Sequence, residues 1–114
     1  DSDYIFVDVH AEATSEKLAI AHYLDGRVTA VVGTHTHVPT ADNIILPKGT
    51  MYITDIGMTG SLYGILGADK TLIMNKFLTG LPGRIEEQKT GPLQLNAVLI
   101  DTDLNKIKRI NIFE

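Results

Sequence analysis

Tyr4-Ile5-Phe6-Val7-Asp8-Val9-His10 and Val28-Thr29-Ala30-Val31-Val32-Gly33-Thr34-His35-Thr36-His37 decide the fold. Residues 4–9 are rich in β-formers and nearly all apolar, the pattern of a strand buried on both faces. Asp8 lies two residues before His10, so both point to one face if the strand persists that far. Residues 28–32 are a second strand of the same kind, and residues 33–39 form a loop at its carboxyl end. A helix is expected between the two strands, with Thr14 or Ser15 as its N-cap. Glu16 sits in the first turn, where a carboxylate meets the positive end of the helix dipole. Leu18, Ala19, Ala21 and Leu24 supply apolar surface, and Asp25-Gly26 ends the helix with Gly26 in the left-handed conformation. Strand, helix and strand in this order make a βαβ unit, hence a parallel pair with a right-handed crossover.

The pattern continues on both sides of a turn at Pro47-Lys48-Gly49. Ile44-Ile45-Leu46 and Thr50-Met51-Tyr52-Ile53 read as short strands. Residues 54–68 read as one long loop containing Gly57, Gly60, Gly64 and Gly67. Asp69 is placed to cap a helix that runs through Phe77-Leu78 and stops at Gly80 and Pro82. Arg84-Ile85-Glu86 is a weak strand, residues 95–100 a strong one, and residues 107–112 an alternating strand with one polar face. No repeat or linker divides the chain, so the reading is one α/β domain.

The chain has 114 residues, enough for one domain. Ten Lys and Arg face fourteen Asp and Glu, a formal net charge of −4. That argues against general nucleic-acid binding, which needs a basic face. The absence of cysteine rules out a disulfide framework, zinc–thiolate ligation and a thiol nucleophile within these residues. It also fits a reducing compartment, and a cytoplasmic location is the expectation. No apolar run approaches the ~20 residues of a membrane-spanning helix. The first residue is Asp1, not Met, and the chain is expected to begin inside a longer protein.

Three of the four histidines sit where strands end: His10 after the first, His35 and His37 after the second. Parallel neighbours open their carboxyl ends on one edge, where open α/β sheets bind ligands. The H-x-H spacing lets two imidazoles project from one short segment, and His10 can complete a trio of metal ligands. Thr34 and Thr36 can orient neighbouring groups, and Asp8, Asp42 and Asp55 can accept an imidazole N–H. A single histidine at a strand end is more often a hydrogen-bonded structural residue; it is the convergence of three that favours metal. His22, within the helix, is read as a packing or surface residue. Glu12 is read as a structural carboxylate or one supporting a ligand. Competing motifs fail. His37 is followed by Val38, Pro39 and Thr40, which breaks the H-x-H-x-D-H pattern of metallo-β-lactamases. Gly64 precedes Asp69-Lys70-Thr71 at Walker A spacing, but Asp69 stands where the second glycine belongs and would repel phosphate.

Gly33-Thr34-His35-Thr36-His37 resembles the final G-H-x-H block of the calcineurin-like metallophosphoesterases, with one inserted residue. Residues 7–17, 23–28, the histidine loop through Asp42, and Thr54-Asp55-Ile56-Gly57-Met58-Thr59-Gly60 are together similar to one bacterial branch, the YmdB-type 2′,3′-cyclic-nucleotide 2′-phosphodiesterases. The resemblance covers most of residues 3–85 and weakens after residue 86. It implies the C-terminal half of a four-layer α/β/β/α metallophosphoesterase sandwich with a two-metal centre. It also implies that His10 and His35 ligate one ion and His37 the other. An N-terminal half not present here would supply the bridging carboxylate and the proton donor. Asp8, Thr34, Thr36, Asp55, Gly57, Met58, Thr59 and Gly60 are then supporting or substrate-loop residues. Ser61 stands where the family often has proline.

Elementary charge balance agrees with that division. Two divalent ions ~3.5–4 Å apart can activate a hydroxide and hold attacking and leaving oxygens in line. Three neutral imidazoles bring no negative charge to them, so a carboxylate must come from elsewhere. Imidazole ligation without thiolate suits iron, manganese or zinc better than magnesium or calcium. The residues from Gly57 to Gly67 either close over a substrate or merely connect two elements. The expected function is hydrolysis of a phosphodiester, a 2′,3′-cyclic nucleotide foremost, by metal-activated hydroxide. The alternatives are a non-catalytic fragment or interaction module of the same fold, and a mononuclear zinc hydrolase with three histidines. The expected partners are the substrate, the N-terminal half and further copies of the protein.

Overall fold

The structure is a computed structural model and describes residues 2–114. Strands β1 (Phe6–His10) and β2 (Ala30–Thr34) are parallel neighbours, with Phe6 opposite Ala30 and His10 opposite Thr34. Helix α1 (Thr14–Leu24) joins them, as the βαβ reading requires. β4 (Met51–Ile53) lies parallel on the other side of β2, and β3 (Ile44–Ile45) pairs antiparallel with β4. The sheet order is β1-β2-β4-β3. In this order β2 and β4 are central, and their side chains are the dry ones. Ala30, Val31, Met51, Tyr52 and Ile53 are buried.

Within these residues β1 lies outermost in its sheet, with Val9 buried and Phe6 56% exposed. Two local expectations change. The N-cap of α1 is Ala13, which makes no side-chain cap; Thr14 and Ser15 lie inside the helix. The first helical bond runs from Lys17 N–H to the Ala13 carbonyl, one residue earlier than the hydroxyls suggested. β2 starts at Ala30 because the polar groups just before it are used sideways. The Thr29 hydroxyl accepts from Ile5 N–H, and the Val28 carbonyl accepts from the Thr50 hydroxyl.

The helix lays one narrow stripe on the sheet. Lys17 and Ala21, four residues apart and so on one face, are its buried residues. Ala21 joins Val9, Val31, Leu46 and Tyr52 in the core. Burying a side chain such as Val31 or Leu46 is worth about 1.5–3 kcal/mol. Gly26 closes the helix end with φ +79°, as expected. The Asp25 carboxylate accepts from Lys48 N–H and Thr50 N–H and so fixes the Pro47–Gly49 turn. Burial pushes the Asp25 carboxyl up, but those two N–H donors outweigh it and hold it below the usual carboxylate range.

The chain divides into two compact units, residues 2–58 with 96–110 and residues 59–95 with 111–114. In the first, Asn43 donates to the Ile107 carbonyl and Asn96 to the Met58 carbonyl. In the second, β5 (Gly60–Ser61) pairs antiparallel with the start of β6 (Leu93–Asp101). Residues 54–68 are therefore not one free loop. Gly60 lies opposite Gln94, and Ile65 bridges Ala68. α2 (Lys70–Thr79) is capped by the Asp69 carboxylate, which accepts from Thr71 N–H and Leu72 N–H, and it ends at left-handed Gly80. Residues 84–86 form no strand; pairing there is a single bridge between Ala68 and Glu87. β7 (Lys106–Phe113) completes a second sheet of order β5-β6-β7. Among the described residues no helix is long and apolar enough to cross a membrane.

Candidate metal centre

The register of β1 and β2 brings their last residues, His10 and Thr34, side by side at the carboxyl edge of the sheet. The chain then turns sharply. His35 has φ +113° and His37 φ +66°, a left-handed region that side chains with a Cβ rarely enter. Each such residue costs on the order of 1–3 kcal/mol and persists only where its surroundings impose it. Two in three residues, both histidines, mark this loop as a strained place in the first unit.

The imidazoles of His10 and His35 meet edge to face, with centroids 4.9 Å apart and planes at 86°. His10 Nε2 and His35 Nδ1 are 3.1 Å apart. Each ring is held from its other nitrogen. His10 Nδ1 lies 3.0 Å from Thr34 Oγ1, whose own proton goes to Asp8 Oδ1 at 2.7 Å. His35 Nε2 lies 3.0 Å from Glu12 Oε2. Because the Thr34 hydroxyl spends its proton on Asp8, it can only accept from His10, so Nδ1 carries that ring's hydrogen. A carboxylate can only accept, so His35 carries its hydrogen on Nε2. The two inner nitrogens then face each other as lone pairs. A hydrogen-bond donor or a metal ion suits the space they share. Two metal–nitrogen bonds of about 2.0–2.1 Å at the tetrahedral angle end about 3.3–3.4 Å apart, a little wider than the observed 3.1 Å. The two donors are therefore suited to an ion in type and close to it in spacing, with ring orientation already fixed by the outer partners.

The rest of the loop is pinned from below. Asp55, fully buried, accepts at Oδ2 from Thr36 N–H (3.0 Å) and from the Lys17 ammonium (3.0 Å), and at Oδ1 from Gly57 N–H (2.9 Å). Burial would push this carboxyl up, but the Gly57 and Thr36 N–H groups and Lys17 outweigh it and hold it below the usual range. The Thr40 hydroxyl accepts from Asp55 N–H and donates to the Asp55 carbonyl. Asp42 accepts from the N–H and hydroxyl of Thr54. The Thr54 hydroxyl in turn contacts the buried Tyr52 hydroxyl at 3.0 Å. Gly33 is obligatory here: a Cβ would stand 1.6 Å from the Thr54 carbonyl oxygen.

The chain matches the sequence model of a family described as YmdB-like protein over residues 1–113. It belongs to the YmdB-like family. A Bacillus subtilis (strain 168) relative named 2′,3′-cyclic-nucleotide 2′-phosphodiesterase is 59% identical over 109 residues, 96% of this chain and 41% of its own length. A crystal structure of a hypothetical protein from Thermus thermophilus superposes with a TM-score of 0.86 at 44% identity, covering all of this chain and 46% of that one. A crystal structure of a phosphatase from Mycoplasma pneumoniae gives 0.83 at 41% identity, covering 99% and 42%. The chain thus spans about two-fifths of these relatives, and its α/β fold is theirs.

Within this YmdB-like framework the structure brings Asp8, Thr34 and His10 together as one hydrogen-bonded group and sets it against His35, which Glu12 holds from its far side. Thr36 and Gly57 enter through their backbone N–H groups on Asp55. Among the described residues, no three His, Cys, Asp or Glu side chains gather closely enough to hold an ion. Two of the three expected histidines converge, and His37 shares the strained backbone. Met58 offers its carbonyl to Asn96. Thr59 and Gly60 fall in the second unit, where Gly60 is committed to β5. Asp42 braces Thr54 and not an imidazole. His22 is exposed on the last turn of α1, as a surface residue. The residue missed in the sequence is Lys17. It reads as a solvated helix cation, yet its spacing of four to Ala21 and seven to Leu24 puts it on the apolar face.

Proposed function

We propose that the intact protein carrying these residues is a metal-dependent phosphodiesterase acting on phosphodiesters, 2′,3′-cyclic nucleotides foremost. The observation that carries this reading is the pair of inward nitrogens, His10 Nε2 and His35 Nδ1, 3.1 Å apart with their outer nitrogens both held. The name of the Bacillus relative supplies the substrate class. In this proposal His10 and His35 hold one divalent ion and His37 a second, iron or manganese by preference and zinc as a further possibility. The bound ions supply Lewis acidity and a nucleophile at neutral pH. The chain's own residues position. Thr34 and Asp8 lock the His10 tautomer, Glu12 locks that of His35, and Asp55 holds the loop through Thr36. The bridging carboxylate and the proton donor are assigned to sequence outside these 114 residues, since the neutral imidazoles here cannot balance two dications. A cytoplasmic location and assembly into homo-oligomers belong to the same proposal.

The test uses the intact protein stripped with chelator and reloaded with manganese. Turnover of 2′,3′-cyclic AMP and bis(4-nitrophenyl) phosphate should vanish on stripping and return on reloading. His35→Ala and His37→Ala should each lower it by about a hundredfold or more, the upper end of effects already seen for groups one shell further out. Undiminished turnover in both variants would remove the ligand assignment. Turnover of phosphomonoesters alone would move the protein to the phosphatases.

A further inference from the structure

We propose that Lys17 is a positioning residue for the metal centre: its buried ammonium holds the Asp55 carboxylate under the histidine loop and so sets the backbone from His35 to His37. The proposal rests on the metal reading above. Both side chains are sealed from solvent, at 0% and 1% exposure, with Nζ and Oδ2 3.0 Å apart. A buried ion pair is weak evidence for stability, because desolvating two charges offsets their attraction, and apolar replacements are often as stable. Its use here lies in what the carboxylate does next.

Asp55 Oδ2, the same oxygen that meets Lys17, accepts from the N–H of Thr36. Thr36 is the residue between the two left-handed histidines. The other oxygen, Oδ1, accepts from Gly57 N–H. One carboxylate therefore ties α1, the histidine loop and the segment after β4 at a single point. The Lys17 stem reaches it by passing under the end of β2, where a Cβ on Gly33 would lie 2.9 Å from Lys17 Cδ. Without the ammonium, the carboxyl would be an uncompensated buried charge. It would take up a proton or turn outward, and either change weakens its hold on Thr36 N–H. The strained backbone at His35 and His37 would then relax toward ordinary φ values, and the two imidazole nitrogens would lose their convergence.

The test compares the intact parent with Lys17→Met and with Lys17→Met/Asp55→Asn. The double variant leaves no unpaired charge buried and offers only one acceptor oxygen for the two N–H groups. Manganese(II) affinity is read by electron paramagnetic resonance, and amide hydrogen exchange is read residue by residue. The expected result is a manganese affinity at least about tenfold weaker in both variants, the range for groups that orient a ligand. Faster exchange at Thr36 should accompany it, with Val31 and Tyr52 still protected. Unchanged affinity in variants of a parent that binds manganese would overturn the role of Lys17 alone. Exchange rising equally at Thr36, Val31 and Tyr52 would reduce Lys17 to a general stabiliser and overturn it too. A parent that binds no manganese would overturn the metal reading itself.

Discussion

Replacing Gly33 by alanine adds one methyl group at the most crowded backbone contact in the sheet. The new Cβ would stand 1.6 Å from the Thr54 carbonyl oxygen and 2.6 Å from its carbonyl carbon. Ordinary heavy-atom contact begins near 3.4 Å, so β2 and the chain at Thr54 must part by about 1.8 Å. The obstacle is backbone and cannot rotate away. Gly33 lies one residue beyond the parallel pairing of Val32 with Ile53, and its carbonyl accepts from Ile56 N–H at 3.0 Å. Separation breaks that bond. Overpacking of a core costs about 1–3 kcal/mol when side chains can yield; a rigid carbonyl plus a lost hydrogen bond of about 1 kcal/mol puts Gly33→Ala at about 3 kcal/mol or more. With a denaturant slope of about 2 kcal/mol/M, the urea midpoint should fall by about 1.5 M. Gly83 is the control. A Cβ there meets nothing within 4 Å and its φ is not left-handed, so Gly83→Ala should stay within about 0.5 kcal/mol of the parent. Urea unfolding of the intact protein followed by circular dichroism decides the matter. A Gly33→Ala midpoint within about 0.3 M of the parent would refute the claim that this approach admits glycine alone.

Two further outcomes follow from the same geometry. Thr34→Val keeps the shape of the side chain but removes the hydroxyl that accepts from His10 Nδ1 and donates to Asp8. Manganese affinity of the intact protein should weaken by about 10–100-fold with little change in the melting curve, while His22→Ala on the surface should leave affinity unaltered; equal affinities for Thr34→Val and the parent would contradict the tautomer assignment. Asp42 titrates below the usual carboxylate range because, although burial pushes it up, hydrogen bonds from Thr40 and Thr54 outweigh that effect. A lowered folded-state pKa contributes stability that is present above the unfolded value of about 3.9 and is lost as pH falls through the folded value. Asp42→Asn should thus be less stable than the parent near neutral pH, with the gap closing below about pH 4; a gap of constant size from pH 7 to pH 3 would show that charge on Asp42 contributes nothing.

The βαβ unit, the Pro47–Gly49 turn and the caps at Asp69 and Gly80 were legible because each is a local signal. Apolar β-branched runs, a left-handed glycine and an acceptor side chain before a helix all act within a few residues. What failed depended on neighbours far along the chain. Gly60 joins a strand because Gln94, 34 positions away, pairs with it. The site divides the same way. Parallel register alone brings His10 and Thr34 level, and His35 follows directly in the loop. Lys17 could not be assigned from charge, because a lysine on an apolar stripe is explained only by the carboxylate it meets, and Asp55 lies 38 residues on.

The histidine loop also shows what holds a strained backbone in place. An isolated chain would place His35 and His37 at negative φ, so the left-handed pair is held against its own preference by groups outside the loop. One of these is the Asp55 carboxylate, which accepts from Thr36 N–H and meets the Lys17 ammonium at the same oxygen. The β1 edge adds the second constraint. His10 meets the ring of His35 only because Thr34, level with it in the register, takes its Nδ1 hydrogen. Remove either constraint and the inner nitrogens have no reason to stand 3.1 Å apart. In the proposed metal centre, ligands ordered in advance would leave binding energy unspent on ordering them, which is the physical content of preorganisation.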